Sequence, residues 1–123
     1  MKNKQYNTKE EPIYNFPSGA KRSKTDGKGR YDLISPVGLR RLAGVYERGA
    51  KHKGDRNWEK GFPLSRCLDS AIRHLNQYKE GYRDEDHVAQ AGWQIFALMH
   101  FEEMIERGLL PKELDDLPRY IKE

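Results

Sequence analysis

The chain has 123 residues, a formal net charge of +4 and an apolar content of 36%, which bounds it to one domain with a thin core. Its single cysteine, Cys67, excludes an internal disulfide and a cysteine-built zinc cage, so a reducing compartment, the cytoplasm, is expected. No apolar run reaches the roughly 18 residues of a spanning helix, and the N-terminal MKNKQYNTKEEP holds no apolar segment of a secretory signal, so no membrane role is expected.

Residues 1–28 are rich in Lys, Asn, Thr, Gly and Pro without a sustained apolar period, the composition of a disordered or loosely docked arm. Tyr14 and Phe16 are its means of being pinned down. The arm is basic: residues 1–30 carry eight Lys/Arg against three Asp/Glu, 31–60 seven against four, and 61–123 eight against twelve. An anionic partner, nucleic acid included, is expected on this half. A solvated tail with balanced surface pairs accounts for the same counts. A thin core also favours burial of a face against a second copy, hence a homo-oligomer.

From residue 29 to 123 the pattern predicts a single all-α domain, a small bundle of three to four helices. Ser35-Pro36 makes an N-cap and first helical position, and Leu39, Leu42, Ala43, Tyr46 and Ala50 follow at helical spacing, giving a first helix over about 36–51. Gly49 and Gly54 lie where it would stop, and Lys51 and Lys53 complement its negative end. A second helix runs from near Pro63 to near Gly81, with Leu64, Cys67, Leu68, Ala71, Ile72, Leu75 and Tyr78 as one apolar stripe and His74 at its edge. The third starts in the acidic "RDEDH" and runs to about Arg107 and Gly108. It is apolar almost all round from Val88 to Phe101, so it is the central helix, and His87 and Gln94 on it need a polar cavity or a partner's polar groups. The tail LLPKELDDLPRYIKE is a short Pro-bounded segment with room for a helical turn or two.

Each chemistry-bearing stretch has two readings. GAKHKGDRNWEKG, residues 49–61, fits the G-x-x-x-x-G frame of a phosphate loop, but Asp55 and Arg56 follow the second glycine where Lys-Ser/Thr is required, and a helix precedes it. It is therefore no P-loop. Lys51, Lys53 and Arg56 can still grip phosphates and Trp58 can stack on a base, or the stretch is a helix C-cap whose Trp plugs the core and whose Asn57 bonds loop amides. Asp69 and Arg73 have the spacing of an exposed helix ion pair, or, with Arg66 and His74 nearby, offer a metal carboxylate and triphosphate cations. Asp84, Glu85 and Asp86 suit a helix N-terminus, or Asp86 and His87 reach toward His74 and hold a divalent metal. The strings Glu103 to Glu106 and Glu113 to Asp116 imitate the E-x-x-E and E-x-x-D of all-α pyrophosphatases, but the gap is too short and the second lies in the tail.

Taken in order and spacing, "GKGRYDL", "GAKHKGDRNWEKG", "LDSAIRHL" and "DHVAQAGWQ" resemble the phage-encoded domain known as the N-terminal region of dATP/dGTP diphosphohydrolase, over roughly residues 19–117. The resemblance implies a small protein of the infected cell's cytoplasm that cleaves a purine deoxynucleoside triphosphate to monophosphate and pyrophosphate with Mg²⁺. Its pattern singles out Lys28, Arg30 and Asp32 in the first motif, and Lys51, Asn57 and Trp58 in the second. In the third it singles out Asp69, Arg73 and His74, and in the last His87 and Trp93. Residue 52 is His where the family usually has Tyr, and residue 94 Gln where Asn is expected. On this reading Asp69 with Asp86 holds metal, and His74 or His87 is the general base or a polar anchor. Lys28, Arg30, Lys51, Arg56, Asn57 and Arg73 bind the nucleotide, and Trp58 stacks on its base. The alternatives are a non-catalytic protein that sequesters a nucleotide, such as a host defence signal, in a basic pocket between subunits, and a nucleic-acid accessory protein acting through the arm.

Overall fold

The structure, a computed structural model, describes residues 12–122, so the first eleven residues of the expected arm lie outside it. The rest of the arm opens with a small hairpin, β1 (Ile13–Asn15) and β2 (Lys21–Ser23), antiparallel with Tyr14 opposite Arg22. Composition did not announce these strands, because three-residue strands exposed on both faces carry no alternation. Tyr14 and Phe16 meet edge-to-face at 4.9 Å and remain half exposed, so they brace the hairpin.

Three helices follow. α1 (Pro36–Lys53) is capped by the Ser35 hydroxyl, which accepts from the Gly38 amide at 3.0 Å. It overruns Gly49 and the expected end by two residues and stops at Gly54, whose φ of 97° only glycine adopts readily. α2 (Leu64–Glu80) ends at Gly81 in the left-handed region. α3 (His87–Glu106) is capped by the Asp86 carboxylate, which accepts from the Ala89 amide at 3.1 Å. A single 3₁₀ turn each at Tyr31–Leu33, Asn57–Lys60 and Lys112–Leu114 completes the regular structure among the described residues.

α3 packs along α2 and against α1, the central place its all-round apolar sequence predicts. The core is Leu64 and Cys67 of α2 with Ala97 and Phe101 of α3, walled by Trp58, Phe62, Trp93 and Leu110. Small residues let α3 approach α2 closely: Ala71 and Ala97 are 1% and 0% exposed. Only one edge of the expected α2 stripe is used. Leu64, Cys67, Ala71 and His74 are buried, whereas Leu68, Ile72, Leu75 and Tyr78 are exposed, because α3 covers a single face of α2.

The tail has a structural task. Pro63 cannot cap α2 with a side chain, and the Asp116 carboxylate does so from across the fold, accepting from the Ser65 amide at 2.9 Å and its hydroxyl at 2.5 Å. These two bonds hold the Asp116 carboxyl below the usual carboxylate range. The tail packs so tightly over Gly61 (φ 96°) that a Cβ there would stand 2.8 Å from Leu114 Cδ1. Among the described residues no helix is long and apolar enough to cross a membrane.

Candidate functional site

The segment after α1 builds one wall of a cleft. Gly54 ends the helix, Arg56 adopts a left-handed conformation (φ 60°, ψ 15°), and the 3₁₀ turn then swings Trp58 inward. Arg56 is the one non-glycine with positive φ among the described residues. Such a conformation costs of the order of 1 kcal/mol, and here it presents a guanidinium at the mouth of an open cavity of about 820 Å³. The opposite wall is α3.

The cleft sorts its chemistry by depth. At its back stand aromatic rings: Trp58 lies 5.8 Å from Tyr46 and 4.8 Å from His100, and Trp93 lies 5.9 Å from Tyr46. Trp58 is half-buried, between the two readings of its sequence: it closes the core against Phe101 and still lines the cavity. Burial pushes the Tyr46 phenol up, so it stays a neutral hydrogen-bonding group. Asn57, Gln90 and Gln94 add amide donors and acceptors. The rim carries Arg48, His52, Lys53 and Arg56 against the two acids Asp55 and Glu85. Gln94 is thus given the polar cavity that its place on a buried helix demands.

Beside the cleft, Glu85 joins a second constellation. His74 of α2 and His87 of α3 are 8% and 2% exposed, and their Nδ1 atoms face each other at 2.9 Å. The other ring nitrogen of His87, Nε2, lies 2.9 Å from the Asp84 carboxylate, which the bond holds below the usual carboxylate range. Burial pushes His74 below the ordinary imidazole value, favouring the neutral ring. One donor atom from each of His74, Glu85 and His87 lies within 4.8 Å of the other two.

The remaining predicted residues disperse. Asp86 gives both carboxylate oxygens to Arg41 at 2.6 and 2.9 Å besides capping α3, and is held at about 2 by the Arg41 guanidinium. Asp69 is exposed on α2, and the expected ion pair with Arg73 is not formed, since Arg73 donates to Ser70 Oγ at 3.2 Å. Neither Asp69 nor Asp86 belongs to the histidine cluster. Lys51 is exposed on the last turn of α1 outside the cavity lining, Arg30 is bidentate to Asp32, and Lys28 borders a separate hollow of about 580 Å³ beside the hairpin. Of the predicted nucleotide ligands, Arg56, Asn57 and Trp58 are the ones that share the cleft. Lys53, Trp93 and Gln94, also marked in the sequence, line it with them, and Tyr46, Arg48, Glu85 and Gln90 join them. Their placement follows from the crossing of α1 on α3, and no local spacing signals it.

The Asp86 pair sets an acid limit on stability. A carboxyl that titrates at about 2 when folded and near 4 when unfolded stabilises the fold above pH 4, and that contribution is lost as pH falls toward 2. The loss is modest because Arg41 is half exposed and the pair is partly screened. Thermal melts from pH 5 to 2 are expected to show this decline, and the Arg41→Ala variant a shallower one. Parallel declines in the two proteins would exclude the pair as its source.

The family model described as dATP/dGTP diphosphohydrolase, N-terminal, matches residues 18–108, a span that holds all three helices, the cleft and the histidine cluster. No curated protein and no solved structure matches the chain. Three-quarters of the chain, with the cleft and the histidine cluster, falls within that match, and the chain therefore belongs to the dATP/dGTP diphosphohydrolase N-terminal family.

Proposed function

We propose that the chain binds a purine deoxynucleoside triphosphate in the cleft and cleaves it to monophosphate and pyrophosphate. The observation that carries this reading is the sorting of the cleft: half-buried aromatic rings and amides inside, and the three exposed cations Arg48, Lys53 and Arg56 at the rim. A base is recognised by stacking and by hydrogen bonds to its edges, and a triphosphate by cations that need no deep burial. Tyr46, Trp58 and Trp93 receive the base, Asn57, Gln90 and Gln94 read its edges, and Arg48, Lys53 and Arg56 hold the phosphates. The donor set suits magnesium, which needs one or two carboxylates and completes its shell from phosphates and water; Asp55 is the cleft carboxylate that would hold it. Bound there, the ion would neutralise phosphate charge and activate water.

The rim also supports a second reading, capture of a nucleotide without turnover, because its cations outnumber its acids and Asp86 is committed to Arg41. Incubation of the pure protein with dATP or dGTP and Mg²⁺ separates the two. Pyrophosphate released catalytically, and lost on chelation, supports the hydrolase. Stoichiometric retention of unaltered nucleotide, indifferent to chelator, supports the binder. Failure of either nucleotide to bind or react would remove both readings.

The same proposal includes self-association. α2 exposes Leu68, Ile72 and Leu75 along one side, and α3 exposes Ile95, Phe96 and Met99, apolar side chains that a second copy would cover. Light scattering is expected to give a multiple of the 14.4 kDa chain mass, and Ile72→Glu with Phe96→Glu to reduce it to one chain. A monomeric wild-type protein would refute this part.

A further inference from the structure

We infer that His74, His87 and Glu85 form a binding site for one divalent transition ion of the zinc class, distinct from the magnesium that accompanies a nucleotide. Two imidazoles more than nine-tenths buried meet edge to edge, their planes tilted by 41° and their Nδ1 atoms 2.9 Å apart. Imidazole nitrogens on a common ion, each about 2.0–2.1 Å from it, stand roughly 2.9–3.4 Å apart at right-angled to tetrahedral geometry. A Glu85 carboxylate oxygen lies within 4.8 Å of one ring nitrogen of each histidine, and Glu85 also lines the cleft. The two Nδ1 atoms lie almost on the line between the ring centres, 5.2 Å apart, as in a hydrogen bond from His74 to His87; binding an ion would turn both rings so that their lone pairs converge and would move the His74 proton from Nδ1.

The surroundings orient the donors. A carboxylate can only accept, so Asp84 requires the His87 proton on Nε2 and leaves the Nδ1 lone pair bare, aimed at His74. A carboxylate on the far nitrogen of a liganding histidine is the arrangement that fixes ring and tautomer around metals. Asp84 is largely exposed while the ring it holds is buried, so it can orient His87 without itself entering the site. Two imidazoles and one carboxylate suit zinc, cobalt or ferrous iron and leave positions open for water, whereas magnesium prefers oxygen throughout. Because Glu85 also lines the cleft, those open positions adjoin it. The plain alternative is a neutral hydrogen bond between two core histidines, with Glu85 idle in solvent.

The experiment uses the untagged full chain, stripped with a chelator and titrated with ZnCl₂ and, for a visible spectrum, CoCl₂. One equivalent of zinc per chain is expected, with a rise in melting temperature, and cobalt is expected to develop the ligand-field bands of a nitrogen and oxygen site. His87→Gln and His74→Gln should each weaken zinc at least tenfold. Glu85→Gln, a change at an exposed position that leaves the fold intact, should also weaken it at least tenfold, and a tenfold excess of Mg²⁺ should not displace the ion. Zinc uptake unchanged by Glu85→Gln and by a folded histidine variant would place the ion on exposed histidines elsewhere and overturn the assignment. So would absence of stoichiometric zinc from the wild type. The titration reads the ion alone, so its outcome is independent of whether the cleft takes a nucleotide.

Discussion

Replacing Phe101 by alanine is expected to cost about 3–5 kcal/mol of folding stability. The ring is fully buried, 5.7 Å from Phe62, 6.2 Å from Trp58 and 6.0 Å from His100 between centroids, and it closes the core cluster of Leu64, Cys67 and Ala97. Its neighbours cannot collapse into the vacated volume. The alanines that let α3 lie close to α2 are already in contact, and the Trp58 turn is tethered by its own backbone bonds at Gly54 and Gly61. Domains of this size have about 5–15 kcal/mol in all, so the variant is left near the threshold of folding. Urea unfolding followed by tryptophan fluorescence measures the difference. Because Phe101 is the floor on which Trp58 rests, nucleotide affinity should fall with stability. A loss below about 1 kcal/mol would mean that the core is not centred where the helices cross.

Arg56→Gly is expected to do the reverse, sparing the fold while weakening nucleotide binding. Glycine adopts a φ of 60° without strain, so the change relieves the backbone. It also removes an exposed pair with Glu59, worth no more than about 1 kcal/mol. Stability should therefore stay within about 1 kcal/mol of the parent. A charge-assisted contact to phosphate is worth about 1.5–3 kcal/mol, so triphosphate affinity should fall roughly tenfold to a hundredfold, and further when Lys53→Ala is added. The deoxynucleoside without phosphates should bind Arg56→Gly as it binds the parent. Equal losses for nucleoside and triphosphate would show that Arg56 shapes the loop and does not hold phosphate. Unchanged affinity for both would remove it from the site.

The strained backbone at Arg56 illustrates how the fold and the site constrain each other. Between Gly54 and Gly61 the chain must leave α1, turn inward to bury half of Trp58 and leave again beneath Leu110 and Leu114. Two glycines supply the outer turns, but the middle left-handed position is an arginine, at a site where asparagine or glycine would be cheaper. A cation held there against conformational preference is consistent with selection for its charge.

Much of the architecture is written in short-range chemistry and so could be read from the chain alone. Ser35-Pro36 starts α1, Asp86 caps α3, Gly54 and Gly81 stop α1 and α2, and the apolar circumference of residues 88–101 puts α3 in the middle. These signals act within one or two turns of helix. Tertiary structure decided everything that depends on which faces meet. It chose His74 over Leu75 for the interior of α2, joined His74 to His87 across thirteen residues and Arg41 to Asp86 across forty-five, and sent Asp116 back fifty-one residues to cap α2. It also brought Tyr46, Arg48 and Lys53 opposite Gln90 and Gln94 to make the cleft. Periodicity shows that a helix has a face to bury, but the crossing of α1 and α2 on α3 selects the part of that face that is covered, and side chains distant in sequence converge only where those crossings place them.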